Sequence, residues 1–425
     1  MPPMEPPVGS DEGGAPTGAG GAPKRTTSVT LSLVLACLGG TLLVGALHKA
    51  PCSGTNWSDG RQYRIACYTD IVPLFDTEQL RGGRLPYLDP CAEARTNCDE
   101  YPVLTMYAMR LAGWISGDDA TRFFWVNALF LTVAAAVVAG SIYLIDPPRA
   151  LWFALAPSLA LEAFVNWDLL AVALAATGTV AFLGHRDGWA GSLLGLGAAA
   201  KLFPGLLLVP FAAQRLRERR PDGAVRLWWC AAAAWLLVNL PFAIARPAGW
   251  WEFFRFNGAR PVDWDSLWSI ACRLSTSACV PTGFANVGSV VGAVVIVVLV
   301  WIVKRRREPD FPRWQLGFPM LAAFLLLGKV YSPQFSLWLL PWLVLLLPDL
   351  RRFIAFEAAD LAVFFTRFSF FGELTGFGGS PRWVFEAAVV VRAAVLVWCV
   401  VSWVRAPSRS PSRDPVPDVV AATAW

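Results

Sequence analysis

The chain has 425 residues, of which 56% are hydrophobic and only 16% are charged, whereas soluble domains average about 25% charged residues. This composition excludes a cytosolic globular enzyme, a disordered protein and a small disulfide scaffold. The formal net charge of +5 is spread among apolar blocks instead of forming one basic face, so no nucleic-acid partner is expected. The sequence therefore predicts an all-α, polytopic integral membrane protein.

The amino-terminal region combines a polar tail with one long apolar run. Residues 1–28 are rich in Pro, Gly and Ser, and we expect them to form a disordered cytoplasmic tail. Residues 29–47 carry no charge and are long enough to cross a hydrocarbon layer of roughly 30 Å. They predict a signal anchor, with a signal peptide cleaved at Ala46 or Ala50 as the alternative.

Residues 48–119 predict a long extracytoplasmic loop that contains one apolar segment. This segment, Tyr101–Ser116, includes Arg110 and is followed at once by Asp118 and Asp119. Its length and charges indicate an amphipathic helix in the membrane interface. A short spanning helix is the alternative.

Further apolar blocks follow and predict a bundle of about 10–12 transmembrane helices within residues 29–404. A second disordered cytoplasmic tail is expected at 405–425. The pair of short blocks around Lys201–Pro204 predicts a helical hairpin or a re-entrant loop. The blocks are 120–145, 150–165, 169–184, 190–200, 205–213, 227–245, 287–303, 316–328, 335–347, 353–372 and 384–404.

Positive charges at the ends of these blocks predict the orientation, because cytoplasmic loops carry an excess of Lys and Arg. The opposite side then holds the outer loops 48–119, 246–286 and 374–383. We expect a multi-pass plasma-membrane protein whose functional loops are extracytoplasmic. The basic positions that share the cytoplasmic side are Lys24–Arg25, Arg149, Arg186, Arg215–Arg226, Lys304–Arg307, Arg351–Arg352 and Arg405.

Cysteine placement indicates the same orientation. Six of the nine Cys lie in outer loops, and even numbers there suit an oxidising compartment. The pairing of the first four is open, because four cysteines allow three connectivities. Cys272 and Cys279 are close enough in sequence for a local bridge. The first four are Cys52, Cys67, Cys91 and Cys98.

Common soluble-enzyme motifs are missing from the sequence. It contains no GxxxxGK[ST], HExxH or GxSxG motif and no CxxC pair, and with only two His a His-based zinc site is not expected. Asp263–Trp264–Asp265 forms a DxD string, a pattern that also arises often by chance.

Five segments resemble a known enzyme family. The first outer loop reads TDIVPLFDTEQLRGGRLPYLDP (69–90) and then DEYPVL (99–104), and the later segments are NWDLLAVAL (166–174), GLGAAAKLFPGLLLVP (195–210) and KVYSPQFSLWLLPW (329–342). In order and topology they resemble the GT-C membrane glycosyltransferases over about residues 30–400. The closest resemblance is to glycosyltransferase family 87, the polyprenyl-phosphate-mannose-dependent α-mannosyltransferases of actinobacteria. That family often has a second Pro where this chain has Val103.

The resemblance implies transfer of a sugar, first of all mannose, from a polyprenyl phosphate to a lipid-linked or polymeric cell-envelope glycan. It places the catalytic carboxylate at Asp70, which can take the acceptor proton and offset charge at the anomeric carbon. From the residues alone, an aspartate that caps the next turn is the alternative.

Cations and hydrogen-bonding side chains complete the expected site. Lys201 at the helix break, Lys329 at a helix end and Arg260 in the second loop are candidates for the donor phosphate; snorkelling to the interface is the alternative for both lysines. Five further residues are candidates for contacts to the sugar or the acceptor: Glu100, Glu162, Asp168, Trp264 and Asp265. The alternatives are that the acidic residues are solvated turn residues and that the tryptophan belongs to an aromatic belt at the membrane interface.

Other functions remain open from the sequence. A transporter or lipid flippase of envelope precursors is the main alternative, but transporters place polar residues near mid-membrane and show related halves, and neither feature is evident here. A non-catalytic subunit of an envelope complex is a third possibility. We expect no cofactor and no dedicated metal site, although a divalent metal is not excluded; the expected partners are the donor, the glycan acceptor and membrane lipid.

Overall fold

The computed structural model describes residues 29–92, 98–275 and 279–408, and in these ranges the chain forms helices and turns without a strand. The prediction of an all-α polytopic membrane protein is confirmed. Of the nineteen described α-helices, five are long and apolar enough to cross a membrane: Leu31–Ser53, Ala120–Ile145, Pro221–Ala245, Thr282–Arg307 and Arg382–Arg405. The tail predicted at 1–28 lies outside the described residues, as does 409–425.

The first helix leads into one end of the bundle. Helix α1 (Leu31–Ser53) begins after Thr30, whose hydroxyl oxygen accepts a hydrogen bond from the Leu33 N–H at 3.2 Å, an N-cap that satisfies a free donor of the first turn. It continues past the predicted end at residue 47. The loop that follows contains α2 (Arg61–Arg64), α3 (Ile71–Thr77) and α4 (Val103–Ser116).

Helix α4 lies across this end of the bundle. Near its start, the Thr105 hydroxyl donates to the Ala200 carbonyl at 2.7 Å. Just beyond its end, the Thr121 hydroxyl donates to the Ser53 carbonyl at 3.1 Å. Because Ala200 and Ser53 each end a helix at the same end of the bundle, α4 does not pass through it. This placement agrees with the interfacial helix predicted from the sequence.

The next helices run back and forth along the bundle. Helix α5 (Ala120–Ile145) has the predicted bounds. The single block predicted at 150–165 is wrong. The chain forms two helices there, α6 (Pro147–Ala154) and α7 (Pro157–Glu162). The break comes before Pro157, because proline lacks the N–H that a continuous helix needs. The Ala154 carbonyl at this break accepts the Thr41 hydroxyl at 2.6 Å, so the broken backbone is satisfied within protein.

Helices α8 (Asp168–Leu183) and α9 (Asp187–Ala200) form the next hairpin, and α9 stops at the predicted break beside Lys201. The block predicted at 205–213 is wrong in its bounds. It is divided into α10 (Phe203–Leu206) and α11 (Leu208–Arg217), and α12 (Pro221–Ala245) follows. Helix α11 continues past the predicted end at residue 213, because Arg215 is buried and pairs with Asp187 at 2.6 Å.

The second predicted outer loop, 246–286, contains two helices that its aromatic composition does not predict. It contains α13 (Pro247–Ala259) and α14 (Leu267–Leu274). The remaining helices are α15 (Thr282–Arg307), α16 (Gly317–Leu327), α17 (Ser336–Leu346), α18 (Leu350–Leu374) and α19 (Arg382–Arg405), with short 3-10 turns at Arg313–Leu316 and Pro333–Phe335. When each broken helix counts as one pass, the described chain runs between the two ends of the bundle twelve times.

Burial separates central from peripheral helices. Every residue of α17 is buried, whereas none of the most apolar window of α15 is buried. An apolar helix that makes so few internal contacts must expose its side chains to lipid. The turn that precedes α17 is therefore attached to a helix that is buried along its whole length.

The two ends of the bundle differ in chemistry. The basic end holds buried cations that donate to backbone carbonyls: Arg149 to Leu347 at 2.8 Å and Lys304 to Ala406 at 2.7 Å. The opposite end holds three disulfides, Cys52–Cys67, Cys91–Cys98 and Cys272–Cys279. The structure thus selects one of the three pairings that the sequence leaves open in the first loop.

Candidate active site

Asp70 lies at the disulfide-bearing end, directly before α3. Its backbone N–H donates to the Val165 carbonyl at 2.8 Å, and the hydroxyl of the preceding Thr69 donates to the Phe164 carbonyl at 2.9 Å. These bonds attach the loop to the turn between α7 and α8. The Asp70 side chain makes no capping hydrogen bond to α3, so the capping role considered from the sequence is not the one it performs.

The Asp70 carboxylate is held by three neutral donors. It accepts from the Tyr68 hydroxyl at 2.7 Å, from the Asn166 amide at 2.9 Å and from the Gln334 amide at 3.4 Å. Asp70 is half-buried, and it forms no ion pair with the other described residues. These donors orient the carboxylate, and none of them carries a positive charge.

A second layer of side chains positions these donors. Asn166 is 2% exposed, and its amide also lies 2.6 Å from the Tyr101 hydroxyl. The Tyr101 ring packs edge-on against Trp167 with 5.7 Å between centroids. Trp167 in turn donates to Asn127 at 2.7 Å. Asn166 therefore has little freedom to turn away from Asp70.

Lys201 lies in an aromatic enclosure beside this network. Its ammonium is 2.5 Å from the Asp168 carboxylate and lies 4.8 Å from the centre of the Phe335 ring, with the rings of Tyr101 and Trp338 at 5.4 Å. Among the described residues, Asp168 is the one hydrogen-bond partner of this ammonium, which has three donors.

Asp168 differs from the solvated turn residue or sugar ligand that we expect from the sequence. It is 0% exposed, and its Oδ1 accepts from both Lys201 and the Trp338 indole at 2.6 Å. Buried charges need such pairing. Its place in the structure is that of a partner which fixes Lys201.

Lys329 and Arg260 lie together on the outer rim of the site. The Lys329 ammonium donates to the Asn257 carbonyl at 2.7 Å and to the Gly258 carbonyl at 3.2 Å. Burial, followed by the positive charge of Arg260, lowers the pKa of Lys329. The positive charge of Arg260 therefore acts on Lys329, although Arg260 is itself paired with Asp263 at 2.8 Å.

Glu100 lies between this rim and Asp70. Burial raises the pKa of Glu100; the charge of Arg260 opposes the shift and that of Asp70 adds to it. The Glu100 carbonyl accepts from the Asn257 amide at 3.3 Å. This position is compatible with the predicted contact to sugar or acceptor.

The DxD string is occupied by ion pairs. Asp265 is 1% exposed and pairs with Arg367, and Asp263 pairs with Arg260 at 2.8 Å. Trp264 packs against Phe370 and lies under Arg382. Asp265 thus takes no part in a surface that a sugar can reach, contrary to expectation, whereas Trp264 lines a groove of about 450 Å³ beside Arg260.

Glu162 is also displaced from its predicted role. It is 1% exposed, and its carboxyl lies near that of Asp360 behind the site. Instead of a turn residue beside the sugar, the structure shows a buried carboxyl within the bundle.

Sequence reasoning missed the neutral members of the site. Tyr68, Tyr101, Asn166 and Gln334 all contact Asp70 or its donors, yet none is a candidate from the sequence. The last three lie inside the family-like segments DEYPVL, NWDLLAVAL and KVYSPQFSLWLLPW. The available signal was therefore the polar, uncharged residues of those segments.

Metal-ligand clusters do not occur among residues 29–92, 98–275 and 279–408: no group of three His, Cys, Asp or Glu side chains is placed to hold an ion. The Cys52–Cys67 disulfide joins the end of α1 to the segment just before Asp70. This bond constrains the loop that carries the carboxylate.

Five helices able to cross a membrane and a cluster of carboxylates and cations at one end of the bundle describe a polytopic membrane protein with a polar site. The sequence profile of glycosyltransferase family 87 matches residues 101–333, and the chain belongs to this family. It is therefore a membrane glycosyltransferase. The match includes Tyr101, Asn166, Lys201 and Lys329, while Asp70 lies before it. No curated protein matches the chain.

Proposed function

We propose that the protein transfers a sugar, most directly mannose, from a polyprenyl phosphate to a lipid-linked or polymeric glycan at the extracytoplasmic face of the plasma membrane. The observation that supports this best is the Asp70 carboxylate, which is held by neutral donors; one of them, Asn166, also contacts Tyr101, whose ring lies 5.4 Å from the Lys201 ammonium. A base and an anion site placed side by side are what sugar transfer from a phosphate donor requires.

Asp70 acts as the general base in this mechanism. It takes the proton of the acceptor hydroxyl while the acceptor oxygen forms a bond to the anomeric carbon. The bond from that carbon to the phosphate oxygen breaks, and polyprenyl phosphate leaves with the electron pair. The negative charge of Asp70 also stabilises the positive charge that develops at the anomeric carbon.

The cations bind the phosphate. Within the described part of the chain, Lys329 has carbonyl partners only, so no carboxylate there offsets its positive charge. Lys201 is held by Asp168 but retains ammonium donors for a phosphate oxygen. Arg260 lies at the rim, where the donor enters from the membrane interface. The lipid tail remains in the bilayer next to α13.

Asp70→Asn tests the proposal. The amide preserves size but removes basicity, so we expect transfer to fall by about 10²–10⁴-fold while donor binding persists. The assay is transfer from radiolabelled polyprenyl-phosphate-mannose to a membrane glycolipid extract by the reconstituted protein, with donor binding measured in parallel. Asp76→Asn, an exposed carboxylate in the same loop, is the matched control.

Each outcome of this assay is informative. Transfer by Asp70→Asn within about threefold of wild type would remove the base assignment, because a general base contributes far more. Lipid translocation without transfer by the wild-type protein would favour a transporter. Transfer from another polyprenyl-phosphate sugar but not from mannose would retain the mechanism and correct the donor.

A further inference from the structure

The end of the bundle opposite Asp70 carries a groove between the last turns of α15 and α19. It has a volume of about 310 Å³ and is lined by Leu299, by five Val side chains and by Arg307 and Arg405. Both arginines are the last residues of their helices. The groove is therefore apolar along the helices and cationic where they end.

Polar contacts hold the two helix ends together. Lys304 is 1% exposed; its ammonium donates to the Ala406 carbonyl at 2.7 Å and pairs with Glu308 at 2.8 Å. Glu308 in turn accepts from the Ser408 hydroxyl at 2.9 Å. These contacts use the charges of Lys304 and Glu308 and fix the width of the groove.

The two arginines at the mouth of the groove remain available. Within the described ranges, neither Arg307 nor Arg405 forms an ion pair or a side-chain hydrogen bond, and both are exposed. Exposed arginines are common where helices leave a membrane. Here, however, two of them flank one apolar groove on a helix that faces lipid.

We infer that this groove binds an anionic phospholipid of the membrane. An acyl chain fits the Val-lined part, and the phosphate is bound by the guanidinium groups of Arg307 and Arg405, whose planar donors match phosphate oxygens. Basic pockets between transmembrane helices recognise anionic head groups in this way. The site lies at the opposite end from the proposed donor site and goes beyond sugar transfer.

Lipid retention by the full-length purified protein tests the inference. We expect native mass spectrometry to show that the wild type retains phosphatidylglycerol at least about tenfold better than phosphatidylcholine. Arg307→Ala/Arg405→Ala should reduce this preference to about twofold or less. Arg219→Ala/Arg226→Ala, which removes two exposed arginines at the same end outside the groove, should leave it unchanged. A preference that survives in the first double variant would overturn the inference.

Two further variants test whether the lipid is bound in the groove or elsewhere on the protein. Val401→Trp keeps both arginines but fills the apolar part, so it should also reduce phosphatidylglycerol retention; unchanged retention would show that only surface charge attracts the lipid and would overturn the site. A chain that ends at Ser408 should retain the preference. If it loses the preference, residues 409–425 hold the lipid and the groove does not. Unchanged thermal unfolding midpoints in phosphatidylcholine would show that the variants fold.

Discussion

Asp70 and Asp168 show how neighbouring side chains give two nearby carboxylates different roles. The neutral donors of Asp70 orient the carboxylate and leave its charge available. The charge of Asp168 is offset by Lys201 in a site with 0% exposure of the carboxyl side chain. Environment, and not residue type, therefore separates the proposed base from the partner that positions a cation.

The Lys201–Asp168 pair gives a prediction about stability and binding. Asp168→Asn leaves the ammonium without a counter-charge in a site where the Lys201 side chain is 14% exposed, and we expect a loss of about 3 kcal/mol in the free energy of unfolding. Lys201→Met/Asp168→Asn removes both charges and should recover most of that loss without restoring donor affinity. Thermal unfolding and donor-binding measurements check the two effects. Wild-type donor affinity in the double variant would remove Lys201 from the phosphate site.

Lys329 predicts a pH dependence. Because burial and Arg260 lower its pKa, the ammonium loses its proton at a lower pH than an exposed lysine, and donor binding should weaken as the pH rises from about 7 to 10. Lys329→Arg stays charged over this range and should bind donor with a flatter pH profile. Donor titrations at several pH values provide the measurement. Identical profiles for the two proteins would show that Lys329 does not contact the phosphate.

The sequence leads to Asp70 but not to the residues that hold it. The segment before α3 identifies the carboxylate by its family-like pattern, and Lys201 is identified by its charge at a helix break. Asn166 and Gln334 carry no such signal, because an amide in an apolar segment looks like any other polar residue. They lie 96 and 264 residues from Asp70, so only the packing of the bundle shows that they meet.

Among the helices, apolar periodicity predicts the long uninterrupted ones best. The limits of α5 follow from a charged residue before it and prolines after it. The break between α6 and α7 is missed because hydropathy stays high across Pro157, although proline cannot continue the hydrogen-bond pattern of a helix. Helices α13 and α14 are missed because their aromatic residues resemble an interfacial loop.

The three disulfides close short loops, with sequence separations of 15, 7 and 7, and give a prediction. Peptide mapping under non-reducing conditions should find Cys52 joined to Cys67, Cys91 to Cys98 and Cys272 to Cys279. Replacement of Cys52 and Cys67 by Ser should cost about 3 kcal/mol, since the closed loop has a sequence separation of 15. The same mapping after reduction and alkylation is the control. Free thiols at these six positions would contradict the pairing and the assignment of this end to an oxidising compartment.

At the scale of the whole molecule, the separation of basic and disulfide-bearing ends predicts the topology. Reporters fused at Arg219 or Arg306 should be cytoplasmic, because both positions belong to the basic end. Reporters at Gly83 or Asn257 should be extracytoplasmic. A cytoplasmic signal at Gly83 would place the Asp70 site on the wrong side for the proposed reaction.

The convergence of distant residues on Asp70 also has a consequence for synthesis of the enzyme. Translation at about 5–20 residues per second needs roughly 13–50 seconds to proceed from Asp70 to Gln334, a separation of 264 residues. Throughout that interval the loop that carries Asp70 exists without its last donor and without the buried helix α17 that follows it. If Asp70 is the base, each newly made molecule becomes active only late in its own production, and a chain interrupted before Gln334 would enter the membrane with an incomplete set of donors around Asp70.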